Sequence, residues 1–477
     1  MVDSADFDYI FNPKSVAITG ISPNRGYDAM AENYLKNLVA CKFKGQIYLI
    51  HPKGGEFRGW KLYPGVKDVP GPLDYVICCI PAPAVPQLIR DCADKGVKVV
   101  QFFTSGFSEN GTEEGMRLEK EVIDIARQGG VRLIGPNCMG VYCPKSGLSF
   151  APDYPTESGP VSFICQSGGN AIYFNRYAAQ RGVRFSKVIS FGNAADINEN
   201  ELLEYLTDDP ETGIIVAYIE GFKDARRFSQ VVRKAAAVKP VIIIKGGRTE
   251  AGARAAASHT GALAGSTRIW DELVRQAGVI PVANLEELGD ILVTFLYLPV
   301  PDGRRLAVLD VGGGAAVMAT DVYISAGLDL PQLPEKLRRK VRGFLNPKAA
   351  GLSVKNPLDL GGQYFNLVGT YPVMKMLVED SGIDILDFHL HLGIHPPFAS
   401  LPREFAFVQL DNVIKVYGET GKPMIVVIDQ LTNVESWETA MACQQKCHQA
   451  RIPVYYSVHG AATALDRFIS YHEKRRD

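Results

Sequence analysis

The chain has 477 residues, 46% hydrophobic and 22% charged. At roughly 150 residues per domain, that length and ordinary composition point to about three soluble globular domains. With 51 Lys and Arg against 52 Asp and Glu, the net charge of −1 lacks the basic excess of a nucleic-acid binder, so no nucleic-acid partner is expected.

The opening Met1-Val2-Asp3-Ser4-Ala5-Asp6 is polar and acidic, unlike the basic and apolar run of a signal peptide. No window holds 18 apolar residues without a charge, Gly or Pro, so no membrane span is expected. Nine cysteines without a Cys-x-x-Cys pair read as the reduced thiols of a cytoplasmic protein. The 46 glycines exceed the average of about 7% and cluster in pairs and triplets. Such clusters belong where backbone turns sharply or approaches a ligand.

In chain order, residues 15–20 read as a buried strand, followed by a loop at 21–26 and a helix over about 30–39. Strands follow at 46–50, 74–80, 97–103 and 131–134, with helices at about 83–95 and 112–128. This alternation predicts a parallel sheet with helices on both faces. Its ligand loops would lie at the strand ends, at 20–26, 51–55, 80–83, 104–107 and 135–140. A second series has strands at 161–165, 187–191, 213–219 and 240–245, with a helix at 170–180. Residues 246–265 are small and polar and read as a long loop or a loosely held helix. A third series has strands at 305–310, 383–391, 423–428 and 453–456, with a helix at 315–326. Breaks near 146–158 and 296–304 divide the chain into domains 1–146, 147–300 and 301–477.

Two strand–glycine–helix junctions stand out, Gln166-Ser167-Gly168-Gly169 and Gly312-Gly313-Gly314. Free N–H groups and the helix dipole at such a junction favour an anion. A bland tight turn has the same appearance, and Gly-Lys-Ser/Thr of a P-loop is absent. Two junctions in adjacent domains could grip one phosphate. Gly20 is followed by Gly26 without Gly-x-Gly-x-x-Gly, which disfavours NAD. Lys53 follows a strand end, where a cation would meet a phosphate or simply water.

His259 lies among small residues in Ala257-Ser258-His259-Thr260-Gly261. A histidine there is either an exposed side chain or a nucleophile toward phosphorus, the latter if a carboxylate orients its ring. Glu220, ending the strand Tyr218-Ile219-Glu220-Gly221, is the candidate orienter. His389, His391 and His395 form His-x-His-x-x-x-His, and the first two would share a strand face. With Pro396-Pro397 following and no acidic ligand pattern evident, no metal is expected there. Cys443 and Cys447 share a helix face, as ordinary half-buried positions.

These residues resemble the α subunit of NDP-forming acyl-CoA synthetases, relatives of succinyl-CoA synthetase. The resemblance runs along nearly the whole chain. It rests on Ser15–Gly20, His51-Pro52-Lys53, Ser105–Glu109, Gly135–Gly140, Gln166-Ser167-Gly168, Gly192–Asp196 and Tyr218–Gly221. Its most specific part is Gly247–Glu250 through Ser258–Gly265, and Asn356-Pro357-Leu358-Asp359 marks the third domain.

The resemblance implies an α/β fold, a Rossmann-like CoA-binding domain followed by two flavodoxin-like, succinyl-CoA synthetase-like domains. Coenzyme A would meet Gly20, Ser22, Asn24, Arg25, Lys53, Pro81, Ser105, Gly106 and Asn137. His259 would be transiently phosphorylated, with Glu220 positioning it, and the helices after Gln166-Ser167-Gly168 and Gly312-Gly313-Gly314 would hold phosphate. The implied enzyme is an ADP-forming acid–thiol ligase. It interconverts acyl-CoA, ADP and phosphate with a carboxylic acid, CoA and ATP.

No ATP-grasp lid or metal-carboxylate set is found. The resemblance therefore implies an ATP-grasp β subunit holding ADP or ATP with Mg2+, in a hetero-oligomer. Two departures stand out. Gly169-Asn170-Ala171 replaces the usual Ala-Leu-Gly, and Leu309-Asp310-Val311 replaces Thr-Asn-Ala. Asp310 would repel a phosphate unless its side chain points away. The competing expectation is a non-catalytic CoA-binding regulatory protein of the same fold. No basic cluster awaits a second carboxylate, so a monocarboxylate substrate is preferred to succinate.

Overall fold

Short aliphatic strands alternating with helices build three sheets in a computed structural model that describes residues 7–22, 30–254, 267–345, 352–361, 367–392 and 403–476. The first sheet contains β1 (Ser15–Thr19), β2 (Gln46–Ile50), β3 (Gly55–Phe57), β4 (Trp60–Tyr63), β5 (Tyr75–Cys78), β6 (Val99–Phe102) and β7 (Arg132–Ile134). Their order is β3-β4-β2-β1-β5-β6-β7. All pairs are parallel except the β3–β4 hairpin. Every residue of β1 is buried, as a central strand covered on both faces must be. Chain order reverses around β1, which has β2 on one side and β5 on the other. Helix Val85–Lys95 buries Val85, Leu88, Ile89 and Cys92, and helix Glu113–Gly129 buries Val122 and Ala126, in one core with Val76, Val100 and Leu133.

The second sheet has β8 (Gly140–Tyr142), β9 (Val161–Cys165), β10 (Phe185–Ser190), β11 (Ile214–Ile219), β12 (Val241–Lys245) and β13 (Ile280–Val282), ordered β13-β12-β11-β9-β10-β8. From β9 onward this is the flavodoxin order 2-1-3-4-5. β8 joins its edge antiparallel, with Val141 opposite Ile189. The third sheet repeats the plan with β14 (Leu306–Asp310), β15 (Ser353–Val354), β16 (Leu358–Asp359), β17 (Ile385–His391), β18 (Met424–Asp429) and β19 (Val454–Tyr455), ordered β15-β16-β14-β17-β18-β19. Here β15 is the antiparallel edge. The fold is thus α/β, a Rossmann-like sheet followed by two flavodoxin-like sheets, as expected.

The chain divides into two compact units, Met1–Leu285 and Glu286–Asp477. The first holds two sheets and the second holds the third. Helix Leu285–Tyr297 packs in the second unit: Thr294 Oγ1 lies 2.8 Å from the Tyr455 hydroxyl, and the Phe295 ring meets Phe468 edge-on at 4.9 Å. Cys443 and Cys447 lie in that unit's core and are fully buried rather than half-buried. No helix among the described residues is long and apolar enough to cross a membrane.

Candidate functional site

A cavity of about 500 Å³ opens where strand ends of the first sheet meet the glycine turn of the second. Cys79, Ile80 and Pro81 follow β5; Phe103, Thr104 and Ser105 follow β6; Asn137, Cys138 and Met139 follow β7. The second sheet contributes Gln166 to Gly169 and Ile172. Ligands of such sheets sit beyond the carboxyl ends of the strands, near the reversal of strand order. Of the expected residues, Pro81, Ser105, Asn137, Gln166, Ser167 and Gly168 line this cavity, whereas Gly20, Ser22, Lys53 and Gly106 do not.

Gly20 abuts the cavity wall. Its φ is +87°, and a Cβ there would stand 2.5 Å from the Cys79 carbonyl oxygen. Lys53 is exposed, and its backbone N–H donates to His51 Nδ1 at 3.3 Å. Asn24, Arg25, His259 and His395 lie outside the described residues.

Side-chain and backbone hydrogen bonds fix the strand-end loops. Thr104 Oγ1 donates to Ile80 O at 2.7 Å, and Asn137 N donates to Thr104 O at 3.0 Å. Asn137 has φ +58°, a conformation asparagine tolerates better than most residues. Glu109 Oε1 accepts from the N–H groups of Gly106 and Phe107. Its Oε2 accepts from Asn193 Nδ2 at 2.6 Å, which ties the Ser105 loop to the loop after β10. The Met139 carbonyl accepts from Gln101 Nε2 and Tyr34 OH, both at 2.9 Å.

The motif residues Glu109 and Asn193 were visible in the sequence, but their partnership was not. Arg132 joins Asp196 and Glu201, each at 2.9 Å. Burial opposes its charge, but the two carboxylates outweigh burial and raise the guanidinium above its usual range.

In the second sheet, Ser167 caps helix Gly168–Gln180 by accepting from Asn170 N at 3.2 Å, so the helix N-terminus borders the cavity. Gly168 is small by necessity, since a Cβ would stand 2.9 Å from Met139 Cγ. Gln166 Oε1 accepts from the N–H groups of Glu220 and Gly221, and its Nε2 donates to Gly221 O at 3.0 Å. One side chain after β9 therefore sets the backbone after β11, at the reversal of strand order.

Glu220 is 7% exposed. The buried Lys245 donates to its carbonyl at 2.6 Å, and burial lowers that ammonium's affinity for its proton, partly offset by Glu220. Burial, then the neighbouring Glu220, pushes the Tyr218 phenol up. Gly246 packs here too, with a Cβ position 3.3 Å from Glu220 Cγ. Burial also raises the Cys165 thiol, which donates to Ser167 O at 2.9 Å.

In the second unit, Gly312, Gly313 and Gly314 are exposed at the start of helix Gly313–Ser325. Gly312 has φ +109°, and its N–H donates to Asp359 Oδ1 at 3.1 Å. Asp310 turns inward from this glycine turn. Its Oδ1 accepts from Val311 N and meets His391 Nε2, both at 2.6 Å, and its Oδ2 lies 3.4 Å from His389 Nδ1.

The far nitrogens are backed as well. His389 Nε2 meets Asp387 Oδ2 at 2.7 Å and His391 Nδ1 meets Asp429 Oδ1 at 2.7 Å, while Tyr323 OH donates to Asp387 at 2.6 Å. Burial opposes charge on both rings, but the carboxylates dominate. His391 is pushed up to about 9 and His389 is raised well above its usual value. Asp310 is fully buried, yet the two rings hold its carboxyl well below the usual range. The acidic partner that the histidine pattern lacked in sequence is Asp310, 81 residues before His391.

A CoA binding domain model matches residues 14–144, and a succinyl-CoA ligase like flavodoxin domain model matches 158–295. The ADP-forming acetate–CoA ligase II subunit alpha of Pyrococcus furiosus is 38% identical over 431 residues, covering 88% of this chain and 89% of that one. An ADP-forming acetate–CoA ligase of Methanocaldococcus jannaschii is 39% identical over 359 residues, covering 75% of this chain but 49% of that longer one. The structure of acetyl-coenzyme A synthetase 1 from Candidatus Korarchaeum cryptofilum, in complex with phosphate and ADP, superposes with a TM-score of 0.83. It is 33% identical, over 99% of this chain and 98% of that one.

Proposed function

This chain belongs to the family of ADP-forming acetate–CoA ligases, matching their α subunits over most of its length, and from that premise we propose that it binds coenzyme A, forms the acyl phosphate and carries the phosphoryl group on His259. It is an acid–thiol ligase, acting with CoA and a nucleotide. The observation that carries the finer reading is the cavity itself. There the strand ends of the CoA-binding sheet meet the N-terminus of helix Gly168–Gln180, with Glu220 held through Gln166.

In the direction of ATP formation, an oxygen of inorganic phosphate attacks the thioester carbonyl. The C–S bond breaks, CoA leaves as a thiolate that takes a proton, and an acyl phosphate remains. An imidazole nitrogen of His259 then attacks phosphorus, and the P–O bond to the acyl group breaks to release the carboxylate. ADP receives the phosphoryl group from His259. The helix N-terminus stabilises charge on the phosphoryl oxygens up to the transfer onto His259. Glu220 orients the imidazole of His259, which serves the acyl phosphate and then ADP.

The nucleotide belongs with Mg2+ on an ATP-grasp β subunit, which makes the working enzyme a hetero-oligomer, and the cysteine usage favours the cytoplasm. Among the described residues, the cavity lining includes no Lys, Arg or His, which favours a monocarboxylate substrate over one with a second carboxylate to pair. The helix after Gly312-Gly313-Gly314 is the second phosphate-holding element in this reading.

Retention of both His259 and Glu220 favours catalysis over a purely regulatory CoA-binding role. Incubation with the partner subunit, ATP and Mg2+ should place an acid-labile phosphoryl label on the wild type. His259→Ala should carry none, and Glu220→Gln should be labelled at least tenfold more slowly. An unlabelled wild type that still binds CoA would establish the regulatory reading instead.

A further inference from the structure

We propose that Asp310, His389 and His391 bind one divalent transition-metal ion at the carboxyl ends of β14 and β17. Ligand atoms of the three residues all lie within 4.8 Å of one another, and all three side chains are buried. Bonds of about 2.0–2.2 Å to nitrogen and oxygen put neighbouring donors about 3.0–3.5 Å apart. His389 Nδ1 already stands 3.4 Å from Asp310 Oδ2. His391 Nε2 and Asp310 Oδ1 share a proton at 2.6 Å and part by less than 1 Å when a metal takes that proton's place. Fully buried Asp310 Oδ2 makes no hydrogen bond among the described residues.

The surroundings supply the independent argument. Metal-ligating histidines almost always present their second nitrogen to a carboxylate, carbonyl or water, which fixes tautomer and ring orientation. Both histidines do so here, His389 Nε2 to Asp387 and His391 Nδ1 to Asp429, and Tyr323 in turn holds Asp387. Charge points the same way. Even with both rings cationic, the carboxylates of Asp310, Asp387 and Asp429 leave one negative charge over, in a site whose other members are buried. Two imidazoles and a carboxylate suit zinc, iron or nickel rather than the all-oxygen preference of magnesium or calcium. The site is therefore separate from any Mg2+ that accompanies the nucleotide. Three protein donors leave a coordination position open to water. The proposal stands whether or not the chain is catalytic.

The full-length chain, stripped with a chelator and desalted, is titrated with zinc chloride by calorimetry and with cobalt chloride by visible absorption. One Zn2+ per chain is expected, with binding at least tenfold weaker in His391→Gln and in Asp387→Asn and unchanged in the exposed His459→Ala. A visible Co2+ band in the wild type needs no variant, so it supports the site even where His391→Gln fails to fold. Absence of saturable binding to the wild type overturns the proposal. So does binding that both His391→Gln and Asp387→Asn, each folded, leave at wild-type strength.

Discussion

Gln166→Ala tests whether one side chain holds the Glu220 backbone in place. The wild-type amide accepts from two N–H groups, of Glu220 and Gly221, and donates to Gly221 O. Gln166, Glu220 and Gly221 are all buried. Each hydrogen bond contributes about 1 kcal/mol net, so three give about 3 kcal/mol. Water entering from the adjoining cavity keeps the loss from the full desolvation cost. For a domain of this size each kcal/mol is worth roughly 2–4 °C, so the melting temperature should fall by about 6–12 °C.

Phosphorylation by the partner and ATP should slow as well, because the freed Glu220 backbone no longer fixes its side chain. Gln166→Glu keeps the acceptor for both N–H groups and loses the donation, so it should cost about 1–3 kcal/mol. Thermal unfolding and the rate of acid-labile labelling are the two readouts. A Gln166→Ala protein that melts within 1 °C of wild type and labels at the wild-type rate would refute the reasoning.

Two further outcomes follow from the same geometry. Gly20→Ala puts a methyl group 2.5 Å from the Cys79 carbonyl at a φ of +87°; it should cost about 1–3 kcal/mol and weaken CoA binding measured by calorimetry at least tenfold, and unchanged affinity would detach Gly20 from the CoA site. Burial raises the Glu199 carboxyl, whose Oε1 accepts from Lys223 N at 3.1 Å. The folded state therefore holds this proton longer than the unfolded one, and stability is lost as pH climbs from about 4.3 to the raised value, staying level above it. Glu199→Gln keeps the acceptor and should gain on the wild type across that range; a melting-temperature difference constant from pH 4 to 7 would contradict this.

The strands that could be read from sequence were those whose aliphatic runs end in turn residues. The expected 46–50 and 161–165 are the observed Gln46–Ile50 and Val161–Cys165. The short antiparallel edge strands Gly140–Tyr142 and Ser353–Val354 escaped, because their pairing depends on a distant partner rather than on their own pattern, whereas the equally short parallel Arg132–Ile134 and Val454–Tyr455 fall in the expected 131–134 and 453–456. The helix expected from 83 begins as a 3-10 turn at Ala82–Ala84 and becomes α-helical at Val85. For the site, the glycine turns were legible because helix N-termini carry a local signature. The bond from Gln166 to Glu220 spans 54 residues, and that from His391 to Asp310 spans 81. Only the strand order brings such pairs together, and spacing along the chain carries no trace of it.

Each of the three parallel sheets ends, on one side, in a short antiparallel strand: Gly55–Phe57, Gly140–Tyr142 and Ser353–Val354. A foreign strand pairing with that side meets two or three residues running against the rest of the sheet, too few to template a ladder. These three brief reversals blunt one flank of every sheet against stray pairing. They should matter most at high protein concentration, where parallel sheets of slow-folding chains otherwise recruit one another.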